Sequence, residues 1–531
     1  MRPPDAKTIP ALLDELAARY PEHEALVGGG TRLTYRALRD EVRVLAKGLH
    51  ALGVRRGDKV ALLMGNRPEW ILTAFAITLL GGIMVAINTW ATRRELAHLL
   101  VHSDTRFLIT VERFLRHDYL DTLAALAREG DSLANVQEIL CVGERHGDHP
   151  ALPFEGLRDR GEAVDDAAVD RARAAVRPDD VAYLLYTSGS TALPKGVQLQ
   201  HYALIENMWN IGERQHLRPG DRLWLAVSLF WGLGCENALF AVLTHAGCIV
   251  LQEHFDAAEA LRLIEAERCT VFYGTPNMVH ALERHPERPE RDISSLRTGA
   301  TLGSPEQVGR LIDLGVAEIC NIYGLTETYG NCTVTDVDDP LEKRLETVGR
   351  PLPGMDIAIA DPESLAPLPA GSVGEILVRG YVTVGYYKDP AEDARAFHDG
   401  WFRTGDLGML DEDGFLHFRG RLKELIKSGG INVSPAEVEA VLREVPEVEL
   451  AYAIGLSDPE RDQRIAAVIV LREGAAALSA DALVAHCAER LAAYKVPRDY
   501  RFVGAGDLPL TTTGKLQKAR LAAFFAADES R

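Results

Sequence analysis

Short apolar runs alternate along most of the chain with stretches in which apolar positions recur every three or four residues. The runs read as strands buried on both faces, the recurring patterns as helices packed on one side. Lys59–Met64 is expected to be a strand, Pro68–Leu80 a helix, Ile83–Ile87 a strand and Arg94–His102 a helix. The rhythm returns at Cys248–Leu251, Ala258–Ala266 and Val271–Tyr273. Such alternation means parallel sheets covered by helices. Trp70–Ile87 is nearly all apolar and approaches the length of a membrane span, but Gly81-Gly82 interrupts it. It reads as a buried helix running into a buried strand, not as a span.

The pattern changes near residue 420. Gly414–Phe418 reads as a strand with turn residues, and a charged stretch, Arg419–Glu424, follows. Ser434-Pro435-Ala436-Glu437 then has the form of a capping box opening a helix. Arg464–Leu471 reads as a strand and Ala480–Ala493 as a helix. The expected organisation is α/β: a large N-terminal domain, residues 1–420, of parallel-sheet subdomains, and a small mobile α+β domain, residues 421–531. No repeat of 20–50 residues is visible.

Composition narrows the function. With 77 acidic against 58 basic residues and a net charge of -19, the chain is no general nucleic-acid binder. Seven cysteines without a C-x-x-C pair fit reduced core thiols and a cytoplasmic protein. The N-terminus has no apolar core of a signal peptide, so none is expected.

The segment richest in candidate chemistry is Tyr186-Thr187-Ser188-Gly189-Ser190-Thr191-Ala192-Leu193-Pro194-Lys195-Gly196, directly after the apolar run Val181–Leu185. Hydroxyls and free N–H groups of a loop suit a phosphate, and the lysine adds a point charge. The spacing is not that of a P-loop.

These residues resemble the phosphate loop of the adenylate-forming superfamily, which reads Y-T-S-G-[ST]-T-G-x-P-K-G, and further motifs of that family follow in its order. Leu302-Gly303-Ser304-Pro305 is similar to the loop that borders adenine, and Asn321-Ile322-Tyr323-Gly324-Leu325-Thr326-Glu327 to N-x-Y-G-x-T-E. Trp401–Asp406 matches W-x-x-T-G-D, Gly420–Lys423 the hinge, and Pro509–Lys515 the P-x-T-x-x-G-K segment. The resemblance implies an acyl- or aryl-CoA synthetase that uses ATP, Mg²⁺ and coenzyme A. It places Thr187, Ser188, Gly189, Ser190, Thr191 and Lys195 on the phosphates, Tyr323 on adenine, Thr326 on the α-phosphate and Glu327 on Mg²⁺. It places Asp406 on the ribose, Arg421 near ribose and phosphate, Lys423 at the hinge, Gly429 and Gly430 along the coenzyme A tunnel, and Lys515 as the adenylation lysine. Phe230, Trp231 and Leu302 would line the acyl pocket.

The chain departs from that pattern in three places. Ala192 stands where the phosphate loop usually has glycine, Trp231 where many relatives have histidine, and Leu302 where a smaller residue is commoner. A reshaped pocket is one reading. Another is a split reaction, in which the protein makes the thioester from a preformed acyl-adenylate. Phe230–Cys235 carries no carboxylate for an α-ammonium, and Glu236 follows with its direction unreadable. A hydrophobic aryl, alicyclic or fatty acid is therefore expected, with Trp231 as a flat apolar wall. A carrier protein in place of coenzyme A, an inactive nucleotide-binding relative, and a homodimer stay open. Natural-product biosynthesis is the expected setting.

Overall fold

The computed structural model describes residues 2–130, 133–146, 150–187, 194–428, 431–458, 462–491, 493–510 and 516–525. By compactness the chain forms two units. The larger holds residues 1–357, 378–402 and 414–416; the smaller holds 358–377, 403–413 and 417–531.

The larger unit is built on two sheets. Among the described residues the first has seven strands, in the order 195–200, 181–187, 83–86, 59–63, 105–111, 138–142 and 152–153. All neighbours are parallel except the hairpin of Val181–Thr187 with Lys195–Gln200. The second has nine, in the order 350–351, 333–334, 318–323, 298–301, 271–273, 222–225, 248–251, 24–28 and 31–34. Its six central strands, from 318–323 to 24–28, are parallel, and antiparallel strands close both edges.

These strands are apolar on both faces because helices cover both. Trp224, Val250, Phe272 and Ile319 of the second sheet pack with Leu261, Val308 and Leu311 of its helices. The Trp70 segment behaves as its pattern requires. Helix Pro68–Leu79 is buried over most of its length, Gly81 turns the chain at φ +73°, and strand Ile83–Ala86 follows. Among the described residues no helix is long and apolar enough to cross a membrane. All seven cysteines are buried and unbonded.

In the smaller unit the long hairpin Val448–Asp458 with Asp462–Leu471 is joined by Ile426–Ser428, Ile431–Val433 and Asp499–Phe502. Helices Pro435–Arg443 and Ala480–Arg490 bury Val438, Leu442, Leu483 and Cys487 on one face of this sheet. Leu521 and Phe525 cover Ala466 and Val468 on the other. This is the expected α+β arrangement. The capping box at Ser434 does not form. The Ser434 hydroxyl donates instead to the Arg419 carbonyl at 2.7 Å, and Glu437 accepts from Lys495 at 2.6 Å. Tertiary partners have taken both groups that the local motif would have used.

Candidate active site

In open α/β sheets ligands bind beyond the carboxyl ends of the strands. Thr187, Thr301 and Tyr323 each end a strand here, and the loops after 83–86 and 222–225 carry Trp90 and Phe230-Trp231. The two edges meet. Asn66, just past strand Lys59–Leu63 of the first sheet, donates to the Val227 carbonyl at 3.0 Å and accepts from Leu229 N–H at 2.8 Å.

Glu327 lies in the short turn Thr326–Thr328 that follows strand Glu318–Tyr323. The turn is tight. A Cβ on Gly324 would come within 2.3 Å of the Gly330 carbonyl oxygen, so no larger residue fits. Tyr329 closes the turn in the left-handed region at φ +50°, with its hydroxyl accepting from Gln200 N–H at 2.8 Å. Glu327 is buried, its carbonyl accepts from Thr383 N–H at 2.7 Å, and its Oε1 accepts from the Tyr386 hydroxyl at 2.8 Å. Burial first, and the Glu327 charge second, push the Tyr386 phenol far above its ordinary range, so Tyr386 is held as a donor.

Lys195 begins the strand after the phosphate-loop segment, in register with Thr187. Its ammonium pairs with Glu392 and lies 5.5 Å from the centre of the Tyr386 ring. Burial opposes the charge on Glu392, but hydrogen bonds from Lys195 and Arg395 outweigh it and hold the carboxyl below its ordinary range. Lys195, Tyr386, Glu327 and Glu392 thus form one charged cluster. Ser188, Gly189, Ser190, Thr191 and Ala192 lie outside the described residues.

Ser304 caps helix Pro305–Asp313 in a complete capping box with Gln307, which fixes the Gly303-Ser304-Pro305 loop. Leu302, just before it, is exposed. Asn321 is buried and donates its side-chain amide to the Thr347 carbonyl at 2.9 Å, bracing the loop behind the site.

Phe230 and Trp231, the residues expected to line an acyl pocket, meet a third ring that the sequence does not single out, Trp90. The three pack edge to face, with centroids 5.0 Å apart for Trp90–Phe230, 5.2 Å for Trp90–Trp231 and 5.3 Å for Phe230–Trp231. The Trp90 loop is pinned. Asn88 accepts from Trp90 N–H at 2.8 Å, the Tyr119 hydroxyl donates to the Thr89 carbonyl at 2.7 Å, and Thr92 forms a capping box with Glu95. Each such ring pair contributes roughly 0.5–1.5 kcal/mol beyond its buried area. Trp90→Ala is expected to raise KM for an aryl acid about tenfold and to leave KM for ATP unchanged, which initial-rate kinetics with each substrate varied will check.

The smaller unit carries the other expected groups. Asp406 is buried in strand Trp401–Leu410, with its N–H donating to the Thr404 hydroxyl at 3.0 Å and Arg421 Nε 3.4 Å from its Oδ1. Glu375 anchors this turn by accepting from Arg403 at 2.6 Å and from Gly405 N–H at 3.2 Å. The backbone of Lys423 lies in the turn Leu422–Glu424. Gly429 and Gly430, which follow Ser428 in sequence, lie outside the described residues. Lys515 also lies outside them.

Two parallel sheets whose carboxyl edges meet around a buried carboxylate, a paired lysine and an aromatic wall define an adenylate-forming type of enzyme. The chain belongs to the AMP-binding enzyme family, which it matches over residues 13–387, with the family's C-terminal domain matched over residues 437–515. It is 36% identical to a feruloyl-CoA synthase of an Amycolatopsis species over 95% of this chain and 96% of that one. Among solved structures, an anthranilate CoA ligase bound to anthranoyl-AMP superimposes with a TM-score of 0.85 at 27% identity, covering 98% of each chain. ATP-bound MatB from Rhodopseudomonas palustris superimposes with a TM-score of 0.82 at 27% identity, covering 98% of this chain and 99% of that one.

Proposed function

We propose that the protein is an AMP-forming acyl- or aryl-CoA ligase acting on a hydrophobic carboxylic acid. In the first step a carboxylate oxygen attacks the α-phosphorus of ATP; the bond to the β,γ-pyrophosphate breaks and an acyl-adenylate forms. In the second, the sulfur of coenzyme A attacks the acyl carbon, its proton leaves to solvent, and AMP departs. The observation that carries this reading is the cluster of Glu327, Tyr386 and Lys195 at the strand ends beside the Trp90–Phe230–Trp231 wall.

The residues divide the work. Glu327, with one oxygen held by Tyr386, offers the carboxylate that suits Mg²⁺, a hard cation that keeps most of its waters. When bound, Mg²⁺ supplies neutralisation of the phosphate charge. Lys195 and the loop from Thr187 to Thr191 supply the cation and donors for the phosphates, Lys195 exchanging Glu392 for its ligand. Gly303, Ser304, Pro305, Tyr323 and Gly324 border the adenine, and Asn321 acts by bracing them. Asp406 and Arg421 take the ribose, Lys423 serves as pivot, and Gly429 and Gly430 line the path of the thiol. Phe230, Trp231 and Leu302 form the acyl wall with Trp90. Buried, unbonded thiols support a reducing, cytoplasmic setting.

The test separates the half-reactions across aryl, alicyclic and fatty acids. Pyrophosphate release is followed with ATP and Mg²⁺, and thioester formation with synthetic acyl-adenylates and coenzyme A. Both activities with one acid are expected. Thioester formation without pyrophosphate release would instead mark a split reaction, and silence in both would overturn the ligase reading.

A further inference from the structure

One buried acidic group at the site's edge is used by none of the steps above. Glu236 sits in the π-helical turn Leu233–Ala238, directly after the Phe230-Trp231 wall. The wide turn starts with Gly234 and Cys235 N–H both donating to the Trp231 carbonyl at 2.9 Å. π turns of this kind recur at functional sites because the extra residue re-aims a side chain. Here it turns Glu236 inward. Its side chain is fully buried; among the described residues no side chain pairs with either carboxyl oxygen, and the Gly330 backbone N–H gives it only weak support, outside good hydrogen-bond geometry.

The next residue shows what a structural polar group looks like in this place. Asn237 donates to Asn331 Oδ1 and accepts from the Tyr273 hydroxyl at 2.9 Å, and Tyr273 in turn accepts from Gln215 at 2.7 Å. That chain ties the turn to the sheet without Glu236. A buried carboxyl left out of such a network is costly, and it persists in native proteins where a ligand completes it.

The position of Glu236 says which part of a ligand it would meet. A Cβ on Gly232 would lie 2.5 Å from Glu236 Oε1 and 3.2 Å from Thr326 Oγ1. Glycine at 232 therefore lets Glu236 Oε1 pack against the chain where a Cβ would otherwise sit, close to Thr326. Gly232 and Thr326 are partly exposed, and Glu236 is closed off just beneath them. Thr326 belongs to the end of the site where carboxylate and α-phosphate react. The apolar rings of Trp90, Phe230 and Trp231 take the remainder of the acyl group.

We infer that the acid this protein activates carries a hydroxyl or amine within a few bonds of its carboxylate, and that Glu236 is the specificity-determining residue that binds it. The inference rests on the ligase reading and narrows its substrate class. Burial, then the nearby Glu327 charge, hold the Glu236 carboxyl well above its ordinary range. In that neutral form it both donates to and accepts from a hydroxyl. With an ammonium it releases its proton to solvent and forms an ion pair. A site with a buried polar group rejects a ligand that cannot pair with it far more strongly than an apolar pocket rejects a misfit.

The test uses matched acids: benzoate against 2-hydroxy- and 2-aminobenzoate, 3-phenylpropanoate against its 3-hydroxy and 3-amino forms, and octanoate against 3-hydroxyoctanoate. The full-length protein should prefer a substituted acid to its plain counterpart by about 100-fold or more in kcat/KM for pyrophosphate release. Glu236→Met, of similar length and unable to pair, should bring that ratio below about tenfold, while Glu236→Gln should keep a preference for hydroxyl and lose one for amine. The ratio is taken within each variant, so a loss of folded protein cancels. Pyrophosphate release with plain and substituted acids alike, or a ratio that Glu236→Met leaves unchanged, overturns the inference and upholds the ligase reading. No release with any acid overturns the ligase reading itself.

Discussion

Replacing Lys515 by alanine is expected to lower acid-dependent pyrophosphate release by about 1,000-fold or more, the scale set by losing one aimed positive group from a water-excluded site. Thioester formation from a supplied acyl-adenylate should stay within about threefold, because fixed charges speed only the step whose transition state they face. In adenylation a carboxylate approaches a polyphosphate, and both reactants are anions. At the proposed site Glu327 and Glu392 would add negative charge to that approach, and Lys195 is already paired with Glu392. A further cation that reaches both reactants removes most of that repulsion, and Lys515, in Pro509–Lys515, is the lysine of the matching motif. The second step has no anion–anion approach at the reacting carbon, so it does not need that cation. Stopped-flow release of pyrophosphate, compared with thiol consumption from synthetic adenylate, reads the two effects separately. Equal losses in both would show that Lys515 serves both steps or holds the fold.

The fold was legible because buried parallel strands leave uninterrupted apolar runs, and the turn at Gly81 was visible as a glycine pair inside one. What the sequence hid depends on meetings between distant segments. Trp90 sits in Asn-Thr-Trp-Ala-Thr with no periodic neighbour, and its role appears only where the loop after strand 83–86 meets the one after 222–225. Glu392, the partner of Lys195, is 197 residues away along the chain. The direction of Glu236 follows from a π turn, which no spacing rule announces. Asn321 was legible as part of a motif, but its side chain braces the Thr347 carbonyl, so the motif records a loop geometry as well as a binding surface. The Ser434 motif failed in the opposite direction, being complete in sequence and dissolved by Arg419 and Lys495.

Glu327→Gln tests the other half of the charge arrangement. Glutamine keeps the shape and can still accept from the Tyr386 hydroxyl, so the turn Thr326–Thr328 should survive with a melting temperature within about 2 °C, as for a change of well under 1 kcal/mol in a chain this large. What is lost is the negative charge that suits a hard cation. Pyrophosphate release is expected to fall about 100-fold or more at a fixed low Mg²⁺ concentration, on the scale of one preorganised electrostatic contact. Part of that loss should return as Mg²⁺ is raised, since weakened binding is offset by mass action. Tyr386→Phe separates orientation from charge. It leaves the carboxylate but removes a hydrogen bond to a charged group, worth about 1.5–3 kcal/mol, or roughly 10- to 150-fold if fully expressed in the rate. A loss in Tyr386→Phe that Mg²⁺ does not relieve would assign the phenol to holding the carboxylate in place. A Glu327→Gln enzyme whose Mg²⁺ dependence is unchanged would remove Glu327 from the metal site and leave it the task of fixing the turn against Tyr386 and Thr383.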